Sequence, residues 1–202
     1  MQEEKNRKPF SRKLLFSLLI FAVSFVLTLV LWIAIQNTYG KAVLQVASHV
    51  AAKVENVDFE MIKEKENGQL GAQFFLFRRG KGFSTIINFD FSLFTFNAPL
   101  TLAVMAALSL FIKNHIRAYA QGLLILIAIH FFYVFTSEAG RISYLLAQNK
   151  MESASEFGLF LWQYIWGFID AMLVRFEPFL IGSYLFIRFS PSSFIVKKKK
   201  KG

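Results

Sequence analysis

The chain has 202 residues, 55% hydrophobic and 18% charged, with 25 phenylalanines, no cysteine and a formal net charge of +10. A soluble domain is usually about 45–50% apolar and about 25% charged, so this much apolar surface implies lipid or a large partner as its solvent. The missing cysteines exclude disulfides, a thiolate nucleophile and Cys-ligated metal. The basic balance does not point to nucleic acid, because the charges sit at the ends of apolar runs.

Residues 1–13 carry Lys5, Arg7, Lys8, Arg12 and Lys13 against Glu3 and Glu4. An uncharged run at 14–35 follows, about 33 Å long as a helix and enough to cross a hydrocarbon core. It exceeds the apolar part of a cleaved signal peptide, normally about 7–15 residues. It is expected to be an uncleaved anchor with Trp32 and Tyr39 in the interfacial belt.

Residues 36–96 are polar enough for water. Val43, Val46, Ala47, Val50, Val54 and Val57 recur at helical steps and predict an amphipathic helix. A charged connector is expected at 60–68. Strand-like residues 72–77, the turn Arg78-Arg79-Gly80-Lys81-Gly82 and a second run from Phe83 predict a β-hairpin. Strict alternation from Ile87 to Leu93 extends its second strand.

The second span is expected at 97–112, with Pro99 tolerated in its first turn. Ala103, Ala106 and Ala107 offer a small surface for close helix packing. Residues 113–117 form a basic turn, and 118–136 the third span. A polar loop, 137–161, precedes the fourth span at 162–187 and a lysine-rich tail, 188–202. In the fourth span, Leu, Ile, Phe and Val favour insertion by roughly 0.3–0.6 kcal/mol each, while Asp170, Arg175 and Glu177 oppose it by up to roughly 2.5–3.5 each. This helix is expected to insert by packing on the others. The rival is an interfacial helix over 157–174 followed by a short span.

Lys and Arg dominate residues 1–13, 113–117 and 188–202, which the positive-inside rule assigns to the cytoplasm. The predicted class is an α-helical integral membrane protein of the bacterial inner membrane. It has about four transmembrane helices, N-in and C-in, with a small extracytoplasmic helix-plus-hairpin insertion between the first two. Lys197, Lys198, Lys199, Lys200 and Lys201 are either a solvated run or a contact to anionic lipid headgroups.

Gln163, Asp170, Glu177 and Tyr184 recur every seven residues and would share one face of a straight helix. Arg175 points away from Asp170 on such a helix, and Pro178 predicts a kink. Ionisable groups at this depth either dock helices or mark a substrate, proton or partner site. His130 lies in the outer half of the third span, where an imidazole–carboxylate pair with Asp170 would satisfy both. His49 and His115 read as surface residues. No phosphate loop, dinucleotide fingerprint, metal-ligand spacing or nucleophile motif is present, so no cofactor, metal or catalytic residue is expected.

Leu31 and Trp32 end the first span. Asn88, Phe94, Phe96 and Asn97 approach Pro99 and Leu100, and Glu177, Pro178, Phe179 and Leu180 mark the late helix. In this layout the chain resembles the exosortase H-associated membrane proteins of Gram-negative bacteria, with Asn97-Ala98 where that family has a glycine before Pro-Leu. The resemblance implies a non-enzymatic inner-membrane accessory to an exosortase, a sorting transpeptidase. It implies another membrane protein as partner, besides lipid, and supplies no catalytic residues. The alternatives are a small transporter or channel subunit using His130, Asp170 and Glu177, and an intramembrane hydrolase with a serine near His130.

Overall fold

No proline and a single glycine interrupt residues 14–55, and the chain runs through them as one helix. The computed structural model describes residues 2–64, 69–78, 80–151 and 156–191. Helix α1 spans Gln2–Glu55, 54 residues, roughly 80 Å at 1.5 Å per residue. The expected amphipathic helix is therefore the continuation of the first span, not a separate element. Asn56 stops it in the left-handed region (φ 51), and the Val57 amide donates to the Ala52 carbonyl at 2.9 Å. That bond satisfies one of the carbonyls a helix end leaves open.

Three antiparallel strands follow in the order β1 (Asp58–Glu64), β2 (Leu70–Arg78) and β3 (Lys81–Phe89). Arg78 opposes Lys81 across a two-residue connection in which Gly80 takes φ +74, the region two-residue hairpins favour. β1 occupies much of the segment read as a charged connector. A bulge between Phe59 and Met61 explains the misreading. The extra residue places Phe59 and Ile62, three apart, opposite the inward-facing Phe74 and Ala72, so the period of two is lost. The alternation after Ile87 does not extend the strand to Leu93. Asp90 accepts from the Ser92 amide at 3.1 Å and caps the short helix α2 (Phe91–Thr95).

Helix α3 (Asn97–Leu108) has 12 residues, about 18 Å. It is shorter than the expected span 97–112, because the Ser109 and Phe111 amides turn back to Ala106 and Leu108. Helix α4 (His115–Gln148) extends twelve residues past the expected end of the third span, to a left-handed Lys150 and a Met151 amide bonded to Leu146. The fourth span, expected at 162–187, lies within one run of α5 (Glu156–Phe168), a π segment (Ile169–Val174) and α6 (Arg175–Phe189). Pro178 lies inside α6 without ending it, four residues beyond the π turn.

Three helices among the described residues are long and apolar enough to cross a membrane: Arg12–Glu55, His115–Gln148 and Glu156–Phe189. Leu14, Leu15, Leu18, Leu19, Leu27 and Val30 are each more than half exposed. A contiguous apolar surface of this kind is a liability in water and is solvated by lipid. By length and composition, this is a multi-pass membrane protein. The lysine tail, Lys197–Lys201, lies outside the described residues.

The chain divides into two compact units. The first holds Met1–Ile33, Asn97–Leu126 and Phe176–Gly202. Within it α3 runs antiparallel to α1: Thr28 donates to the Pro99 carbonyl at 3.0 Å and Ser17 to the Ala107 carbonyl at 2.9 Å. α6 runs parallel to α3 and antiparallel to α4, since Glu177 meets Thr101, Tyr184 meets Gln121, and the Lys113 amide meets the Phe189 carbonyl. The second unit holds Ala34–Phe96 and Ile127–Arg175. β1 lies antiparallel along α1, with Lys41 paired to Glu64 at 2.6 Å and the His49 ring 4.7 Å from Phe59. Leu44, Ala47 and Ala51 of α1, and Ala72, Phe74 and Leu76 of β2, are fully buried in this unit.

Candidate functional site

The polar side chains inside the helices form two sets, one in each unit. In the first unit, Glu177 is fully buried and accepts from the Thr101 hydroxyl at 2.7 Å. Thr101 also reaches the Asn97 carbonyl at 3.0 Å. Tyr184, 40% exposed, donates to the Gln121 side-chain oxygen at 2.8 Å. Bonds of this kind between helices in lipid contribute about 0.6 kcal/mol on average, up to about 1.7. They set register more than they add stability.

Close approach in this unit comes from glycines. A Cβ on Gly182 would stand 2.8 Å from Val104, and one on Gly122 would stand 2.6 Å from the Met105 methyl. Of the three expected packing alanines, Ala103 is fully buried, whereas Ala106 and Ala107 are half-buried. The tightest approaches thus fall at Gly122 and Gly182 and not on the expected alanine surface.

In the second unit, α1 and α4 run parallel and carry three polar rungs. The Tyr39 hydroxyl lies 2.8 Å from Nδ1 of the fully buried His130. Ser48 donates to Glu138 at 2.7 Å, both fully buried. Ser143 donates to Glu55 at 2.6 Å. Glu138 keeps its second carboxyl oxygen buried without a hydrogen-bond partner. These rungs explain why α4 continues through Ser137, Glu138 and Ser143, read from the sequence as a polar loop. On α1, Ser48 and Glu55 meet Glu138 and Ser143 directly.

Asp170 lies 3.6 Å from Arg175. The expected pair with His130 does not form: His130 faces Tyr39 and Asp170 faces Arg175. The π segment is the cause. Its i→i+5 bonding brings residues five apart nearly onto one face, whereas an α-helix would turn Arg175 away. The same segment breaks the seven-residue stripe. Gln163 and Tyr184 are exposed, Asp170 is partly exposed and Glu177 is buried, so the four share no common face.

Gln163 instead lines a cleft of about 630 Å³ between α4 and α5. Its walls include Arg141, Tyr144, Trp162 and Trp166. Trp162 sits edge-on to Phe135 with ring centres 5.8 Å apart, and Trp166 lies 6.4 Å from Tyr133. No group of three or more His, Asp or Glu side chains among the described residues is placed to hold a metal ion.

Comparison with protein-family models, with curated proteins and with solved structures returned no match to this chain.

Proposed function

We propose that the chain is a non-enzymatic accessory protein of a bacterial inner membrane. Its sheet-bearing region docks another membrane protein, an exosortase-type sorting enzyme, on the outer side. The observation that carries this reading is an aromatic anchor on the sheet. Phe75 and Phe77 stack with ring centres 6.4 Å apart, Phe77 is 57% exposed, and Gly82 opposite leaves room for both rings. Aromatic side chains, phenylalanine among them, are enriched at the cores of protein interfaces. Inside the helices, by contrast, Glu177, His130 and Asp170 are engaged by neighbours in the same chain, which favours a structural role for them.

A layout with both termini inside fits the first unit, with the 12-residue α3 reaching only part of the way through a hydrocarbon core of about 30 Å. Its α1, α3, α4 and α6 segments alternate in direction. Arg12 and Lys13 line a surface pocket with Leu110, and Lys113 bonds to the residue after Arg188, so basic groups gather at the α3–α4 turn. Such a cluster marks a cytoplasmic end.

Purification of the tagged full chain from its source membranes is expected to recover an exosortase-type enzyme. Phe77→Asp is expected to lower that recovery by roughly 30-fold, the equivalent of about 2 kcal/mol for an interface hot spot. Its level in the membrane should not change. Recovery of no envelope protein contradicts the proposal. So does solute flux in liposomes that Asp170→Asn abolishes, which would identify a transporter.

A further inference from the structure

We propose that the cleft between α4 and α5 binds the phosphate headgroup of an anionic amphiphile, with Arg141 as the phosphate ligand. The cleft is built from both helices where the apolar stretch of α4 gives way to polar residues, at Thr136 and Ser137. Its volume of about 630 Å³ suits a small ligand or a headgroup with the start of its tail. Arg141 lines it, is exposed, and makes no ion pair with a described residue. A guanidinium presents a planar fork that matches two phosphate oxygens at once. Gln148 and Gln163 add neutral amide donors to the lining, and among the described residues no carboxylate shares it.

The apolar half is equally specific. Leu145, Leu159, Trp162 and Trp166 face the same cleft. Gly140 lets α5 come close: a Cβ there would lie 3.3 Å from the Trp162 side chain. Tryptophan at the end of an apolar span is the residue of the membrane interface, with one end apolar and the other wet. A cation beside two indoles at that depth fits a molecule with a phosphate and a hydrocarbon tail. A soluble anion would make no use of the apolar lining of Leu145, Leu159 and the two indoles, and a neutral lipid would offer the Arg141 guanidinium no anion.

The inference rests on the membrane placement of α4 and α5 but not on the sorting role. Two phosphate sources are compatible with it: the phosphodiester of a bulk phospholipid and the monoester of a polyprenyl phosphate. The full chain in detergent is mixed with phosphatidylglycerol, with a polyprenyl monophosphate, or with diacylglycerol, which has the tails without the phosphate. Retained lipid is then read by native mass spectrometry. At least one phosphate lipid should be retained about tenfold more than diacylglycerol, the scale of one charge-assisted contact. Whichever of the two is retained names the source. Arg141→Gln should remove that preference, while Arg141→Lys, which keeps the charge without the fork, should keep part of it. Arg141 is exposed, so neither change disturbs the core. Equal retention of diacylglycerol, or an unchanged preference in Arg141→Gln, overturns the proposal. A chain that retains the phosphate lipid but loses its protein partner in Phe77→Asp separates this site from the docking surface.

Discussion

Phe74→Ala is expected to destabilise the sheet-bearing unit by about 3–5 kcal/mol, the range for deleting a buried phenyl ring from a packed core. Phe74 is fully buried in the central strand, opposite Phe59 of β1 and Thr85 of β3, with its ring 5.6 Å from that of Phe59. A three-stranded sheet has little else to hold it, because strands of this size need a covered apolar face to persist. Phe74 is central to that face. Hydrogen exchange reads the loss directly: amide protection across β2 and β3 should fall by two to three orders of magnitude, since each about 1.4 kcal/mol is a factor of ten. A fall of less than tenfold would mean that the sheet does not depend on this core.

Gly182→Leu is expected to force α6 away from α3. The new Cβ alone would lie 2.8 Å from Val104 Cγ1. Valine is stiff at χ1 and cannot swing aside cheaply. Overpacking of this kind costs about 1–3 kcal/mol even where neighbours can shift, and here two further methyl groups follow. The separation should also break the Thr101–Glu177 bond, at a further cost of about 0.6 kcal/mol and up to about 1.7. Gly167→Ala is the matched control. Nothing lies within 4 Å of its added Cβ, and alanine is favoured over glycine in a helix by about 1 kcal/mol. Melting in detergent should fall for Gly182→Leu and hold or rise for Gly167→Ala. Wild-type melting in Gly182→Leu would rule out the close α3–α6 contact.

Apolar length and charge reveal the long helices because the bilayer imposes both on any segment that crosses it. The turn around Gly80 is legible because a two-residue hairpin needs positive φ there. The features that escaped share another cause: their meaning depends on what lies across from them. Glu138 and Ser143 look like loop residues until Ser48 and Glu55 on α1 supply their partners. Tyr39, Ser48 and Thr101 are single hydroxyls on apolar faces, with no pattern to mark them as partners. β1 hides behind its bulge, which converts a period of two into a spacing of three. The seven-residue stripe fails because one π turn adds a residue to the helix, and no local propensity announces such a turn. The Asp170–Arg175 pair is its consequence. For Arg141 the reason is simpler: an arginine in a polar loop is ordinary until two tryptophans line the same cleft.

The proposed topology follows the charge pattern: residues 36–96 and 137–161 of a multi-pass membrane protein outside, and the basic segment 113–117 in the cytoplasm. The chain has no cysteine, so single introduced cysteines report sidedness without background. Asn88→Cys lies on β3, Asn149→Cys beyond the end of α4, and His115→Cys at the start of α4, all at exposed positions. A membrane-impermeant maleimide applied to intact spheroplasts is expected to label Asn88→Cys and Asn149→Cys, and to label His115→Cys only after the membrane is opened. Labelling of all three in intact cells, or of His115→Cys alone, would contradict the topology and the outward docking surface that depends on it.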